Sequence, residues 1–382
     1  MPLKKCQIKG VNGWKWGNKG KCYTGVGARK KAIQQAKAIE ASKHSKDTRN
    51  DQADGRYMQM VVNMIATNQL IKSSGKKFKA KKPPKWYFPD AQEREYYRSL
   101  QALFSIYTDY TEENIIPRIN EWVDDSKNYF DSAEIRKDQF EEEVNLYIDQ
   151  GFKELDQRIY EDGQDTLFDE LLAIALITSL FNKEQFQKVV AKSLGITVDI
   201  DEPFEINIAR AWVNRNVGLI KGATDDYRKK IKDAVLETVM RGGTSQELSK
   251  KLLSTDNTLT KSRANIIARD QITKLNGVLT RRRQTSIGVD EYRWITANEE
   301  RVRGNPSGLY PKTKPSHWVL HNKTCRWDDP TVYSDDGGKT WLSKSTINGE
   351  PLHPGFAILC RCFGEAIFDE IENEVNNYLE NV

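Results

Sequence analysis

His317, His321, Cys325, His353, Cys360 and Cys362 lie within 46 residues near the C-terminus, while the other 336 residues hold only Cys6, Cys22 and His44. Nitrogen and sulfur donors bunched in this way suit a tetrahedral Zn²⁺, which takes about four of them. If residues 317–325 were helical, His321 and Cys325 would share a face with His317. The competing reading is a loop fold packed on Trp294, Trp318 and Trp327, with the cysteines as small buried hydrophobes.

Arg301 and Arg303 alternate on a stretch read as extended, so both guanidinium groups point the same way. They could clamp a phosphate. Glu299, Asp328 and Asp329 are ready internal partners, and a salt-bridge network is the reading favoured here. Catalytic signatures are absent: there is no Gly-x-Ser-x-Gly elbow, Walker loop or His-Glu-x-x-His. A metal-dependent nuclease would have to join His317, His321 or His353 to Asp328 or Asp329, and nothing in the spacing brings them together.

Charge is distributed unevenly. Residues 1–85 carry 21 Lys/Arg and 4 Asp/Glu, a net +17, whereas the remainder of this +5 chain is acidic. A basic arm of this kind binds a polyanion without reading its sequence. Its candidate contacts are Lys15, Lys19, Lys21, Arg29, Lys30, Lys31, Lys76, Lys77, Lys79, Lys81 and Lys82. No apolar run reaches the ~18 residues of a membrane span. The first residues lack the apolar core of a signal peptide, so synthesis in the cytoplasm is expected. There Cys6 and Cys22 would stay free thiols, although they could face each other across a ribbon.

The pattern predicts a mainly α protein. It comprises an elongated helical middle, a small C-terminal α+β domain and a short N-terminal β-ribbon and helix module. The turn signals Asn12-Gly13 and Asn18-Lys19-Gly20 separate the short extended pieces of the ribbon. Helices are expected over 28–42 and 57–71, followed by a basic hinge closing at Pro83-Pro84. Apolar stripes such as Leu100/Leu103/Phe104/Tyr107 and Val144/Tyr147/Ile148/Phe152 mark further helices. A break is expected over 193–204. Helices then follow at about 206–220, 223–241, 244–253 and 263–283, with Thr244 or Ser245 as an N-cap. A strand at 292–296 and a last helix near 369–379 complete the pattern. The expected boundaries are 1–85, 86–255, 256–368 and 369–382.

The chain from about 210 to 367 resembles the phage Mu F-like head morphogenesis, or minor capsid, proteins. The strings that carry the resemblance are Gly243-Thr244-Ser245-Gln246-Glu247-Leu248, Arg263-Ala264-Asn265-Ile266-Ile267-Ala268-Arg269-Asp270 and Trp294 through Arg303. Ser316-His317-Trp318, Arg326-Trp327-Asp328-Asp329-Pro330, His353-Pro354-Gly355 and Cys360-Arg361-Cys362 follow in order. Among the ligand types, His317, His353, Cys360 and Cys362 fall in these strings, which makes them the candidate Cys₂His₂ set for a structural zinc. Trp294, Arg301, Arg303, Trp327, Asp328 and Arg361 are the motif's structural residues. The sequence departs from the family pattern by an extra loop between Arg303 and Ser316, and by six residues between His353 and Cys360. Either could move a ligand.

The resemblance implies a non-enzymatic virion protein made in the host cytoplasm. Its expected partners are the portal protein, the major capsid protein and packaged double-stranded DNA, with no membrane before ejection. It would assist head assembly, packaging or genome ejection. The alternatives are a phage-borne nuclease or other effector enzyme, and a general DNA-binding or scaffolding protein.

Overall fold

The computed structural model describes residues 3–8, 11–16, 21–24, 54–71, 77–121, 137–162, 164–199, 202, 204–241, 243–297 and 299–381. The expected helix at 28–42 lies outside them. The protein is mostly helical, 63% helix and 8% strand. Two compact units divide between Val62 and Asn63, with Ser286–Gly288 counted in the first.

In the smaller unit, β1 (Leu3–Ile8) and β3 (Tyr23–Thr24) flank β2 (Val11–Trp16) in an antiparallel sheet. Cys6 sits opposite Gly13, and Gly13 opposite Thr24. This register brings Cys22 within a Cα–Cα distance of 6.0 Å of Cys6, and the two form a disulfide. The expectation of free thiols is therefore corrected. Compartment was the wrong guide, because strand pairing fixes the sulfurs within bonding range. Helix α1 (Asp54–Ile71) follows.

The larger unit is built on helices α2 (Asp90–Tyr110), α3 (Lys137–Asp156), α4 (Gln164–Leu194), α5 (Glu205–Met240) and α6 (Ser245–Ser286). Leu100, Leu103, Phe104 and Tyr107 of α2 meet Val144, Ile148 and Phe152 of α3 in one core with α5 and α6. The break after α4 is present, with Ile196 and Val198 buried along it.

Two expected interruptions are absent. Separate helices are expected at about 206–220 and 223–241, yet α5 runs unbroken for 36 residues, about 54 Å at 1.5 Å per residue. Its buried positions Val213, Ile220, Ala223, Tyr227, Ile231 and Ala234 keep helical phase across Gly222. Burial of that stripe outweighs the roughly 1 kcal/mol that a glycine costs inside a helix. Likewise α6 continues through 254–262, where a gap was expected. Its start is a reciprocal cap: the Glu247 amide donates to Thr244 Oγ1 (3.2 Å), and the Thr244 amide donates to Glu247 Oε2 (3.1 Å).

The C-terminal region packs a sheet of order β5-β4-β8 against the end of α6. These strands are Thr324–Arg326, Glu291–Ile295 and Phe363–Ala366. A smaller pair, β6 (Val332–Tyr333) and β7 (Leu342–Ser343), lies beyond. Tyr292 and Trp294 point inward from β4, each fully buried. Trp294 faces Gly364 across the ladder. A Cβ on Gly364 would lie 2.8 Å from the Trp327 ring and 3.0 Å from Tyr292, so glycine is what lets Trp327 close over the strand. The chain ends in α7 (Asp369–Glu380), seated through Ile371 and Val375.

The basic stretch read as a hinge is tied to this last helix. The Phe78 amide donates to Asn376 Oδ1 (2.7 Å), and the Ala80 amide donates to Glu372 Oε2 (3.0 Å). Residues 77–85 thus lie in the larger unit.

Candidate functional site: a buried His/Cys cluster beneath the C-terminal sheet

Cys360 and Cys362 precede β8 directly, and His317 opens a short 3₁₀ turn, Trp318–Leu320. The extra loop before Ser316 does not carry His317 away. Gly304 donates to Tyr310 O (2.9 Å), closing the loop on itself. The His317 and Trp318 amides then both reach Arg303 O, at 3.0 and 3.1 Å.

His317 Nδ1 lies 3.4 Å from Cys360 Sγ and 3.5 Å from Cys362 Sγ. The three ligand-type atoms fall within 4.8 Å of one another, and all three residues are buried. On the far side of the ring, His317 Nε2 is 3.1 Å from Glu350 Oε2. Glu350 is itself buried and lies 3.7 Å from the Arg303 guanidinium.

The groups titrate as a chain. Burial alone would lower the His317 pKa, but Cys360 and Glu350 on its two nitrogens reverse this and raise it to about 9. Burial opposes ionisation of Cys360 too, yet bonds from Cys362 and His317 hold its pKa well below the usual thiol value. Cys362 goes the other way, raised by burial and by the neighbouring Cys360.

His353 does not join the cluster. Its Nδ1 is 3.1 Å from the Tyr292 hydroxyl, and its ring lies among Trp327, Phe356 and Tyr292. Burial, with Arg281 and Lys344 nearby, pushes its pKa down to about 3. His321 accepts a hydrogen bond from the Thr296 amide (3.2 Å), and Cys325 is buried in β5 opposite Tyr292.

The turn after His353 serves packing. A Cβ on Gly277 of α6 would meet Pro354 O at 3.2 Å, so the His-Pro-Gly turn rests directly on the helix backbone. Gly355 there has φ +85°, a conformation glycine adopts without strain.

The arginines separate. Arg303 donates to Ile358 O as well as facing Glu350, while Arg301 is exposed. The acidic partner of Arg303 is therefore Glu350, 47 residues on, in place of the nearby Glu299, Asp328 or Asp329. Asp328 pairs with Arg326, and Asp329 accepts from Thr331 at 2.9 Å. Neither carboxylate hydrogen-bonds a histidine among the described residues. Arg361 bonds both oxygens of Glu93 on α2, at 2.9 and 2.7 Å, and lies over the Phe88 ring.

Sequence reading missed the residues that hold this region together. Asp270 on α6 accepts from the Leu359 amide (2.9 Å) and from Lys274 (2.7 Å). Gln284 bridges the Trp327 indole to Gly364 O, both at 2.9 Å. Lys344 is buried, with its ammonium 4.8 Å from the Trp294 ring centre. Glu350 and Lys344 in turn-rich chain, and Gln284 as a polar residue at the end of α6, carry no apolar periodic signal. Only Asp270, inside the Ala268-Arg269-Asp270 string, stood in a motif.

Of the basic-arm candidates, Lys19, Arg29, Lys30, Lys31 and Lys76 lie outside the described residues, and for Lys15 only the backbone is described. Lys21 lies 5.8 Å from the Tyr23 ring centre. Lys77 is exposed and pairs with Glu380 at 3.1 Å, and Lys79, Lys81 and Lys82 are exposed.

Residues 229–364 match the family described as Phage Mu protein F like protein. This segment is Mu F-like. It spans all of the strings singled out above, from the Thr244 cap to Cys362 and into β8. An uncharacterized protein from Haemophilus influenzae (strain ATCC 51907 / DSM 11121 / KW20 / Rd) is 29% identical over 162 residues, which are 42% of this chain and 30% of that protein. The chain thus covers under a third of that relative's length. No solved structure matches. In structural terms the Mu F-like segment is the last third of α5, all of α6 and the sheet that holds the His/Cys cluster. No helix among the described residues is long and apolar enough to cross a membrane.

Proposed function

We propose that this protein is a minor head protein of a tailed bacteriophage. It is made in the host cytoplasm and carried inside the head or at its portal vertex. The observation that carries this reading is the match of residues 229–364 to the Mu F-like family. In this reading the helical body docks on the portal or the inner capsid wall, and the protein assists assembly, packaging or genome ejection without chemical turnover.

The site's construction supports a structural part. His317, Cys360, Cys362 and Glu350 are buried and bonded to one another, and the cavity beside Cys362 measures only about 10 Å³. That is about the room of one water molecule. The basic arm contributes salt-dependent, non-specific contact with packaged double-stranded DNA.

The test is recovery of a tagged chain from infected cells. Portal protein should co-purify, with major capsid protein in the same assemblies. Recovery without either head protein would contradict the docking role. Recovery with nucleic acid alone would favour a general DNA-binding protein.

A further inference from the structure

We propose that His317 Nδ1, Cys360 Sγ and Cys362 Sγ bind one structural zinc ion, with Glu350 orienting the histidine from behind. The argument is geometric and independent of any virion role. Zinc–sulfur bonds of ~2.3 Å and a zinc–nitrogen bond of ~2.0–2.1 Å at tetrahedral angles separate sulfur from nitrogen by about 3.5 Å. Both sulfurs stand at that distance from the same nitrogen, 3.4 and 3.5 Å. One N–H can point well at only one sulfur. Two sulfurs equidistant from one ring nitrogen are what a shared ion requires.

The surroundings favour a thiolate at Cys360. The Gly355 and Cys362 amides both aim at Cys360 Sγ, at 3.4 Å each. The buried Trp294 indole N–H has no conventional partner and faces Cys362. N–H groups gathered on sulfur stabilise the anion, the form that ligates metal. Glu350 on Nε2 completes a carboxylate–histidine–metal relay, fixing the tautomer that leaves Nδ1 as the donor. Two thiolates and an imidazole select zinc over harder divalent ions.

This set differs from the Cys₂His₂ expectation. His353 is withdrawn to Tyr292, and no fourth His, Cys, Asp or Glu among the described residues joins the group. The remaining corner falls to water. Mechanically, the ion ties the His317 loop to the entry of β8, closing a span of more than 40 residues onto the end of the motif.

The experiment is metal analysis of the full chain purified with reduced thiols, paired with Co²⁺ titration of the chelator-stripped protein. About one zinc per chain is expected, with a thiolate-to-cobalt charge-transfer band and the d–d bands of tetrahedral cobalt. Cys362→Ser and His317→Ala should lose the metal, whereas His353→Gln should keep it. Glu350→Gln should bind roughly 10- to 100-fold more weakly. A zinc-free wild type that takes up no tetrahedral cobalt overturns the proposal, and this arm needs no folded variant. Zinc retained by a Cys360→Ser/Cys362→Ser double variant overturns it equally.

Discussion

His353 was expected to serve as a ligand and instead sits in an aromatic box, 5.1 Å from the Trp327 ring centre and hydrogen-bonded to Tyr292. The His-Pro-Gly string announced an important residue without saying which kind, because a ligand and a buried polar wedge look alike in sequence. The distinction has a measurable consequence. Its folded-state pKa, about 3, lies below the ordinary 6.5 because burial, Arg281 and Lys344 disfavour the charged ring. The unfolded chain therefore binds the proton first as pH falls. Stability from this residue is complete above pH 6.5 and declines from there towards pH 3. Between pH 6.5 and 5 the loss should be about 2 kcal/mol. Urea unfolding of wild type and His353→Gln at both pH values checks this: the wild type should lose more on acidification. Equal losses would mean that the ring is not held neutral.

At the level of elements, the apolar stripes were legible. Leu100, Leu103, Phe104 and Tyr107, and again Val144, Ile148 and Phe152, are buried as their spacing requires. The unbroken lengths of α5 and α6 were not legible, since glycine and polar runs stop a helix only when tertiary packing does not carry it through. The polar seam of the larger unit was also hidden. Arg283, read as the basic end of a helix, is fully buried. It donates to both oxygens of Glu202 (2.7 and 2.6 Å), to Asn182 Oδ1 (2.6 Å) and to Ser179 Oγ (2.8 Å). A buried pair of this kind is costly to break and cheap to replace whole. Arg283→Ala should destabilise by about 3–5 kcal/mol, because it strands the Glu202 charge. Arg283→Met combined with Glu202→Leu should recover most of that loss. Chemical denaturation of the three proteins decides the matter; a mild single-variant effect would show that the seam is solvated.

For the whole molecule, two features read from sequence reach furthest: the ordered motif strings now matched over 229–364, and the charge asymmetry. The strings were informative because each marks a place where backbone meets backbone or a buried polar group finds its partner. Examples are the Thr244 cap, the turn resting on Gly277 and Arg361 on Glu93. The partners themselves come from distant segments, so the contacts could not be paired from the strings alone. The arm makes a separate prediction. Residues 1–52 hold 13 Lys/Arg against 3 Asp/Glu. Deleting them should shift elution from heparin to distinctly lower salt, as expected when several phosphate-like contacts are lost. An unchanged profile would remove the polyanion role. The central claim, that this is a built-in part of a phage head, is tested most directly by quantitative mass spectrometry of gradient-purified particles. The account predicts this polypeptide in every preparation, at a fixed low ratio to portal protein. Homogeneous, infectious particles that lack it would contradict the account.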